Sequence, residues 1–373
     1  MRRTGVTVVG YPFRPIGMGE HARSTLRALQ AGGVAASLAD VSLDNGEIDP
    51  DIDRDFRPYL AEGVGSGVKL FCVNGDEAAR VIEVVGKKPF EAGYNIIYPA
   101  WELARYPAAW AKVVERFDEV WAPSEFIRAA IAGAVSKPVV TMPLAVDLKL
   151  SSFLGRRHFG IPEEAFVVLF FFDFSSFAER KNPAAVLDAF ELVAAHRPDA
   201  DIHCVIKSRG GRDADEAQLA FEARLAALAP RAQAIYGDLS DNEIKNLVRV
   251  CDVFVSLHRS EGFGRGMAEA MAMGRAAIAT GYSGNVDFMA PGTSLLVDYE
   301  LIPVPPGAYP QGEDQVWADP SPAHAARLIE QLLDDPAGAR ALGARGREHI
   351  RANYSTTAVG RRYAERLAAI GKL

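Results

Sequence analysis

The chain has 373 residues, 49% of them hydrophobic, 24% charged and 9% aromatic. That composition excludes collagen-like, disordered and disulfide-scaffold proteins, and the length exceeds one ordinary core, since domains run roughly 100–200 residues. Two domains with a cleft between them are expected. The 41 basic against 48 acidic side chains leave a net charge of −7, so no basic excess is available to neutralise a nucleic-acid backbone. The three cysteines, Cys72, Cys204 and Cys251, sit beside apolar runs without metal-ligand spacing and read as buried free thiols of a reducing compartment. The run Val6–Val9 is too short for a signal segment, and no apolar stretch reaches about 18 residues, which points to a cytoplasmic chain without a membrane span.

In chain order, the apolar run at 6–9 leads through a Gly-containing loop into a helix with Ala22, Leu26 and Leu29 on one face. Further strands are expected at 68–73, 95–98, 119–122 and 139–142, separated by helical or loop segments, which gives a parallel sheet and then a crossing linker over 139–147. The pattern restarts at 166–172, apolar at every position and so fitted to a strand buried on both faces. Strands at 202–206, 234–236, 253–257, 276–279 and 294–297 follow, with helices at 182–195, 215–228, 241–249, 266–273 and 321–333. The proline-rich segment 301–317 reads as an ordered loop without helix. A last helix begins near Thr356 and is basic on one side; its pattern does not say which domain it packs on. The expected division is 1–147, 148–355 and a C-terminal helix over 356–373.

The most informative stretch is Ser260-Glu261-Gly262-Phe263-Gly264-Arg265-Gly266-Met267-Ala268-Glu269-Ala270-Met271. It follows a buried strand and opens a helix. Its glycines let the backbone approach a ligand, and the free N–H groups at the helix start favour an anion such as a diphosphate. Glu261 in the loop and Glu269 one turn into the helix can face one pocket at different depths, one near a sugar and one near a ribose. The plainer alternative is a tight turn in which Glu269 complements the helix dipole. A second stretch, Glu179-Arg180-Lys181-Asn182-Pro183, sets two cations just before a helix start, where they add to the positive end of the dipole unless something anionic binds. A third, Arg14-Pro15-Ile16-Gly17-Met18-Gly19-Glu20-His21, follows the first strand. It lacks the complete dinucleotide fingerprint, because Ala22 replaces the last glycine, while Asp40 suits a ribose-binding acid. An NAD-dependent oxidoreductase is therefore a rival reading.

These elements, in this order and spacing, resemble the retaining glycosyltransferases of family 4. The resemblance spans essentially the whole chain and is sharpest where Glu261 and Glu269 match the E-x7-E pattern. It implies an α/β fold of GT-B architecture, with two Rossmann-like, doubly wound parallel-sheet domains facing a cleft. It further implies that Glu269 holds the ribose of a nucleotide diphosphate-sugar, that Glu261 contacts the transferred sugar, and that Lys181 binds the diphosphate. Gly17 and Gly19 would approach the donor from the first domain, with Gly264 and Gly266 beneath the diphosphate.

Three departures from the family pattern stand out. Asp173-Phe174-Ser175 replaces the usual Gly-Arg, which leaves Arg180 as the candidate second cation. Tyr98-Pro99-Ala100-Trp101-Glu102-Leu103 stands where many members have a histidine, so Trp101 and Glu102 either face the acceptor or form an aromatic structural loop. Arg265 occupies a usually apolar position and either adds charge over the diphosphate or points to solvent. Lys207 closes another strand and is either near the diphosphate or apart from it. Tyr282-Ser283-Gly284-Asn285 lines the sugar pocket through Asn285 or is a plain turn. His258 reads as a packed imidazole. Backbone around Tyr236-Gly237-Asp238-Leu239 would read the donor base, which the sequence leaves open among uridine, guanosine and adenosine.

Asp199-Ala200-Asp201 and Asp213-Ala214-Asp215 fit the string of a metal-holding Asp-x-Asp, but turn and cap roles account for both. Helix dipole and basic side chains then replace a metal, and transfer without metal or cofactor is expected, in surface polysaccharide or glycoconjugate synthesis. The acceptor would be a carbohydrate or a lipid-linked glycan, with Trp101, Tyr106 and Trp110 either stacking on it or buried in the core. No nucleic-acid partner is expected. Basic pairs such as Arg156-Arg157 are the footing for a peripheral contact with the inner membrane face, which the overall charge does not favour. A catalytically silent nucleotide-sugar-binding protein of the same fold is the second rival.

Overall fold

The computed structural model describes residues 5–42, 48–146, 148–174, 177–209, 216–237 and 239–373. Of the residues singled out above, Asp147, Ser175, Asp213, Ala214, Asp215 and Asp238 lie outside the described residues. The strands are β1 (Val6–Gly10), β2 (Ala36–Asp40), β3 (Val68–Phe71), β4 (Tyr94–Ile97), β5 (Glu119–Ala122), β6 (Val139–Thr141), β7 (Phe166–Asp173), β8 (Ile202–Arg209), β9 (Ala232–Tyr236), β10 (Val253–Ser256), β11 (Ala276–Thr280), β12 (Leu295–Val297), β13 (Tyr299–Pro303) and β14 (Val316–Pro320). The helices are α1 (Gly17–Ala31), α2 (Pro50–Phe56), α3 (Ala78–Val85), α4 (Lys87–Glu91), α5 (Ala108–Val114), α6 (Glu125–Ala132), α7 (Ala178–Lys181), α8 (Pro183–His196), α9 (Glu216–Ala227), α10 (Asp241–Val250), α11 (Arg265–Ala272), α12 (Pro322–Asp334), α13 (Pro336–Tyr354) and α14 (Thr356–Ala369).

The chain forms two compact units, Met1–Asp147 with Ala352–Leu373, and Leu148–Arg351. Each holds a six-stranded sheet, in the orders β2-β1-β3-β4-β5-β6 and β12-β11-β10-β7-β8-β9. The pairings within both sheets are parallel, so both faces are covered by helices and the central strands are apolar runs rather than alternations. β7 shows this most fully, and Phe170, Val168 and Phe190 of α8 belong to one core with Leu187 and Ile206. Serine hydroxyls start several helices by accepting the free N–H groups of the first turn. Ser124 caps α6, Ser240 makes a reciprocal capping box with Glu243 on α10, and Ser321 and Ser355 cap α12 and α14.

Three segments differ from the sequence-based expectation, one being α13, a 19-residue helix over Pro336–Tyr354 that it did not include. β2 was not expected, because Ala36-Ser37-Leu38-Ala39-Asp40 carries little β propensity; it exists by pairing with β1 in register from Val6 opposite Ala36 to Gly10 opposite Asp40. The proline-rich segment is not loop throughout. Its ends are β13 and β14, an antiparallel pair with Ile302 opposite Trp317.

The last helix, α14, packs on α1 of the first unit. Glycine on both sides makes that approach close: a Cβ on Gly360 would sit 2.1 Å from the Ala28 carbonyl oxygen, and one on Gly32 would sit 2.2 Å from that of Gly360. Arg366 of α14 also reaches β5, where its guanidinium meets both carboxylate oxygens of the fully buried Glu119 at 2.8 and 2.7 Å. Trp121 Nε1 and the Tyr94 hydroxyl donate to the same carboxylate at 2.7 and 3.2 Å. Among the described residues no helix is long and apolar enough to cross a membrane.

Removing one member of a buried ion pair strands the other in low dielectric. Arg366→Met is therefore expected to cost about 3 kcal/mol of unfolding free energy, with part recovered in the Glu119→Gln/Arg366→Met double variant. Urea denaturation reads this, and an unchanged midpoint in Arg366→Met would show that the ion pair does not contribute to holding α14.

Candidate active site

In an open parallel sheet a ligand finds room at the carboxyl ends of the strands, where the strand order reverses and neighbouring loops diverge. In the second sheet that point lies between β7 and β10, since the chain moves from β7 through β8 to β9 and returns to pair β10 on the other side. The loops after these two strands carry the two informative motifs.

After β7 the backbone enters the left-handed region at Phe177 (φ 55°), turns once through α7, and enters it again at Asn182 (φ 54°) before α8. Such a conformation in non-glycine residues costs about 1–3 kcal/mol each and persists only where the surroundings enforce it. Its effect is to turn Arg180 and Lys181 inward. After β10, Glu261 is buried and its carboxylate is ion-paired with the Lys181 ammonium and with Arg180, whose Nη1 lies 3.2 Å from Glu261 Oε1. Arg180 is 4% exposed and donates from Nη1 to the Ser260 carbonyl at 2.9 Å. The two cations that the dipole argument left in want of an anion thus have one from within the chain. Burial alone would raise the Glu261 pKa, but Lys181 and then Arg180 hold it down to about 2.

The Glu261 backbone is fixed from a third loop. Its N–H donates to Ser283 Oγ at 2.8 Å and its carbonyl accepts from Gly284 N at 2.8 Å, with Ser283 itself at φ 73°. Behind it lies the fully buried His258. Asn285 donates from Nδ2 to the Thr280 carbonyl at 3.0 Å, which turns its Oδ1 toward His258 Nε2, also at 3.0 Å. Nε2 therefore carries the proton, and Nδ1 accepts from Ser256 Oγ at 3.0 Å. Thr280 Oγ1 closes the network by donating to the His258 carbonyl at 2.6 Å. Burial lowers the His258 pKa to about 4, so this imidazole is a neutral strut and not a base at neutral pH.

The helix start is built as the motif suggests, although two of its glycines serve packing as well. Gly264 is the α11 cap at φ 93°, where a Cβ would lie 2.3 Å from Met267 Cε. A Cβ on Gly266 would meet the rings of Phe254 and Phe171 at 3.1 and 3.2 Å, so its smallness seats the helix on β7 and β10. Arg265 takes the first helical position, and both it and Glu269 are half-buried.

The other candidates have neighbours of their own. Lys207 is buried and donates from Nζ to the Gly237 carbonyl at 2.9 Å, which fastens the end of β9. Asn285 belongs to the His258 network. In the first unit Gly17 and Gly19 open α1, just after the loop that follows β1 at that sheet's own reversal point. Gly17 faces open space, whereas a Cβ on Gly19 would strike the Arg14 carbonyl oxygen at 2.2 Å, so that glycine is required by its own loop. Asp40 accepts from the Ser42 amide and hydroxyl at 3.0 and 2.7 Å. Trp101 is 2% exposed and lies in a ring cluster with the buried Tyr106 and the half-buried Trp110, donating from Nε1 to the Arg105 carbonyl at 3.1 Å. Of the two alternatives left open for Trp101 and Tyr106, the structure shows burial in the core. Glu102 is half-buried beside them. All three cysteines are free and buried, and burial pushes their thiols up to about 12. Among the described residues no group of three or more His, Cys, Asp or Glu could hold a metal ion.

Two residues of the site were not visible in the sequence reading: Arg259 and Tyr309 reach the cation loop from positions remote in sequence. Arg259 N donates to the Arg180 carbonyl at 2.8 Å, and Tyr309 lies with its ring 5.6 Å from the Arg180 guanidinium carbon.

Comparison with known proteins shows the family and the fold. The family described as Glycosyl transferases group 1 matches residues 155–349, more than half of the chain. A GDP-mannose-dependent monoacylated alpha-(1-6)-phosphatidylinositol monomannoside mannosyltransferase of Corynebacterium glutamicum is 28% identical over 198 residues, which are 50% of this chain and 44% of that protein. The match thus spans less than half of that relative's length. Among solved structures, sucrose-phosphate synthase from Thermosynechococcus elongatus aligns at a TM-score of 0.71 with 18% identity over 99% of both chains. Anabaena Alr3699/HepE in complex with UDP and glucose aligns at 0.68 with 13% identity, over 98% of this chain and 100% of that one. These two likenesses show the two-domain α/β fold of GT-B type.

Between pH 6.5 and about 4 the unfolded chain protonates His258 and the folded chain does not, so the stability this group provides is complete above pH 6.5 and is lost as pH falls toward 4. The loss is on the order of 3 kcal/mol. Urea denaturation across that range is expected to show a steeper fall in wild type than in His258→Gln, and parallel curves would mean that the imidazole is not held neutral.

Proposed function

The chain belongs to the Glycosyl transferases group 1 family, and from that premise we propose that it moves a sugar from a nucleotide diphosphate-sugar to an acceptor hydroxyl with retention at the anomeric carbon. The observation that carries the reading is the convergence of Lys181, Arg180 and Glu261 at the reversal point of the second sheet, beside the start of α11. Lys181 and the first N–H groups of α11 meet the charge that grows on the departing phosphate oxygen. Glu269, a turn further along α11, takes the ribose hydroxyls. Gly264 and Gly266 let the helix start come near the diphosphate, and Arg265 adds charge at its edge.

The state of Glu261 narrows the chemistry. A carboxylate with a pKa of about 2 is a poor proton acceptor at neutral pH, and His258 is neutral with both ring nitrogens engaged. Glu261 therefore serves as a hydrogen-bond acceptor that holds the oxocarbenium-like sugar, its own charge being met by Lys181 and Arg180. The bond from the anomeric carbon to the phosphate oxygen breaks with its electron pair going to the phosphate. The acceptor oxygen bonds to the same face, and its proton passes to the departing phosphate oxygen, which is the base at hand. Basic side chains and the helix start supply the stabilisation that a metal gives elsewhere, so transfer proceeds without one.

Support for the donor class comes from the relatives. The Corynebacterium protein is named as GDP-mannose-dependent and the Anabaena protein is complexed with UDP and glucose. A carbohydrate or lipid-linked glycan fits as acceptor, in surface polysaccharide or glycoconjugate synthesis at the inner face of the membrane.

A ligand that binds only the folded state stabilises it by about 2.7 kcal/mol at a hundred times its Kd. Thermal melting with UDP, GDP, ADP and NAD is therefore expected to show a rise with one nucleoside diphosphate, unchanged by EDTA and lost in Lys181→Ala and in Glu269→Ala. Glu261→Gln is expected to keep the rise and to lose transfer and donor hydrolysis by at least about a hundredfold. A rise with NAD alone would overturn the transferase reading, and binding without transfer in wild type would favour a silent binder. Loss of transfer in EDTA with return on added Mg²⁺ would overturn the metal-free mechanism.

A further inference from the structure

The segment between β13 and β14 is rich in proline, yet it is built rather than slack. The Val304 N–H donates to the Gln315 carbonyl at 2.9 Å, Gly312 N to Tyr309 O at 3.1 Å, and Gln315 N to Gly312 O at 3.1 Å. The buried Gln315 side chain donates from Nε2 to the Gln311 carbonyl at 2.8 Å. Gln311 and Asp314 both take left-handed backbone at φ 56°, and a Cβ on Gly312 would lie 2.7 Å from Val304 Cγ1. A loop closed this many ways holds its members in one place, as compact surface loops with functions do.

What it holds is Tyr309, 8% exposed. Its ring lies 5.6 Å from the guanidinium carbon of Arg180 and 4.9 Å from the ring of Phe177, edge to face at 64°. Phe177 is the strained residue at which the chain turns into α7, so Tyr309 supports both the turn and the cation that the turn delivers. The strands beneath the loop are fastened to the same place through Arg259. Ala318 N donates to the Arg259 carbonyl at 2.9 Å, and the Arg259 guanidinium lies over the Trp317 ring at 5.6 Å. From Nη1 Arg259 donates to the Glu179 carbonyl at 2.7 Å, and its own amide donates to Arg180 O.

We propose that the 304–315 loop is a working part of the donor site and that Tyr309 is a positioning residue, its ring holding the Arg180 guanidinium against Glu261 and Ser260. Resting on the transferase reading above, this gives the hairpin a role in diphosphate recognition. Arg180 shares Glu261 Oε1 with Lys181. While Arg180 is in place, Glu261 has two counter-charges and the Lys181 ammonium can turn part of its donor capacity to a phosphate. If Arg180 swings away, Glu261 keeps Lys181 to itself. The phosphate affected is the one next to the sugar, because Glu261 is the sugar-side carboxylate.

The test compares nucleoside diphosphates with monophosphates by titration calorimetry, using UDP, GDP and ADP against UMP, GMP and AMP on the full chain. For the diphosphate that wild type binds most tightly, Tyr309→Leu is expected to weaken binding about tenfold with the matching monophosphate unchanged, and Tyr309→Phe, which keeps the ring, is expected to match wild type. Should Tyr309→Leu not yield folded protein, Phe177→Leu, which loosens Tyr309 from its other flank, is held to the same expectation. Equal weakening of diphosphate and monophosphate, or no weakening of either, overturns the proposal while leaving the transferase reading intact. Failure of wild type to bind any of the three diphosphates overturns both.

Discussion

Burying the Glu261 carboxylate is tolerable only while Lys181 and Arg180 stay within reach, because an ion left in low dielectric with a partner removed costs several kcal/mol. The second unit is arranged to meet that demand. Its strand order places the loop after β7 beside the loop after β10. Two left-handed residues turn the cations inward, Ser283 and Gly284 pin the Glu261 backbone, and the His258 network holds the Ser283 loop from behind. Each device is local and modest, and together they over-determine the position of one charged group.

The same cluster explains why these residues suit leaving-group stabilisation better than proton transfer. Two cations on one carboxylate make a stable anion with little basicity and leave the cluster with a surplus positive charge, a few residues before α11 begins. Preorganised charge of this kind needs no rearrangement as a diphosphate departs. The neighbouring imidazole, which in a solvated site would titrate near neutrality, is instead dedicated to holding a turn. On the proposed transferase reading, chemistry at this point rests on fixed charge and not on a side-chain acid or base.

Much of this was legible in the sequence wherever the signal is local. The apolar runs that become β1, β7 and β10 announce themselves, and Glu261, Lys181 and the glycines at the start of α11 stand in short motifs whose donor-site roles the family resemblance implies. The misses are of another kind. β2 has weak propensity and is made by its neighbour. β13 and β14 flank prolines, and Pro303 and Pro320 lie at strand ends, where a missing N–H is tolerated. The seat of α14 depends on Gly32 with Gly360 and Glu119 with Arg366, pairs hundreds of residues apart that no window of sequence contains. The direction of Arg180 is intermediate: the sequence shows that a cation before a helix needs an anion, but not that Glu261, eighty-one residues on, supplies it. Tyr309 has no local mark at all, since its partner ring and partner cation belong to a different loop.

Lys181 at the β7/β10 reversal point is proposed to hold the diphosphate of a sugar donor. A crystal structure of the full chain grown with the nucleoside diphosphate that stabilises it most would test this directly. The account predicts the terminal phosphate within hydrogen-bond distance of Lys181 Nζ, the other phosphate at the first N–H groups of α11, and the ribose at Glu269. A diphosphate bound away from Lys181, with the Lys181–Glu261 and Arg180–Glu261 pairs untouched, would show that the cluster is structural and contradict the account.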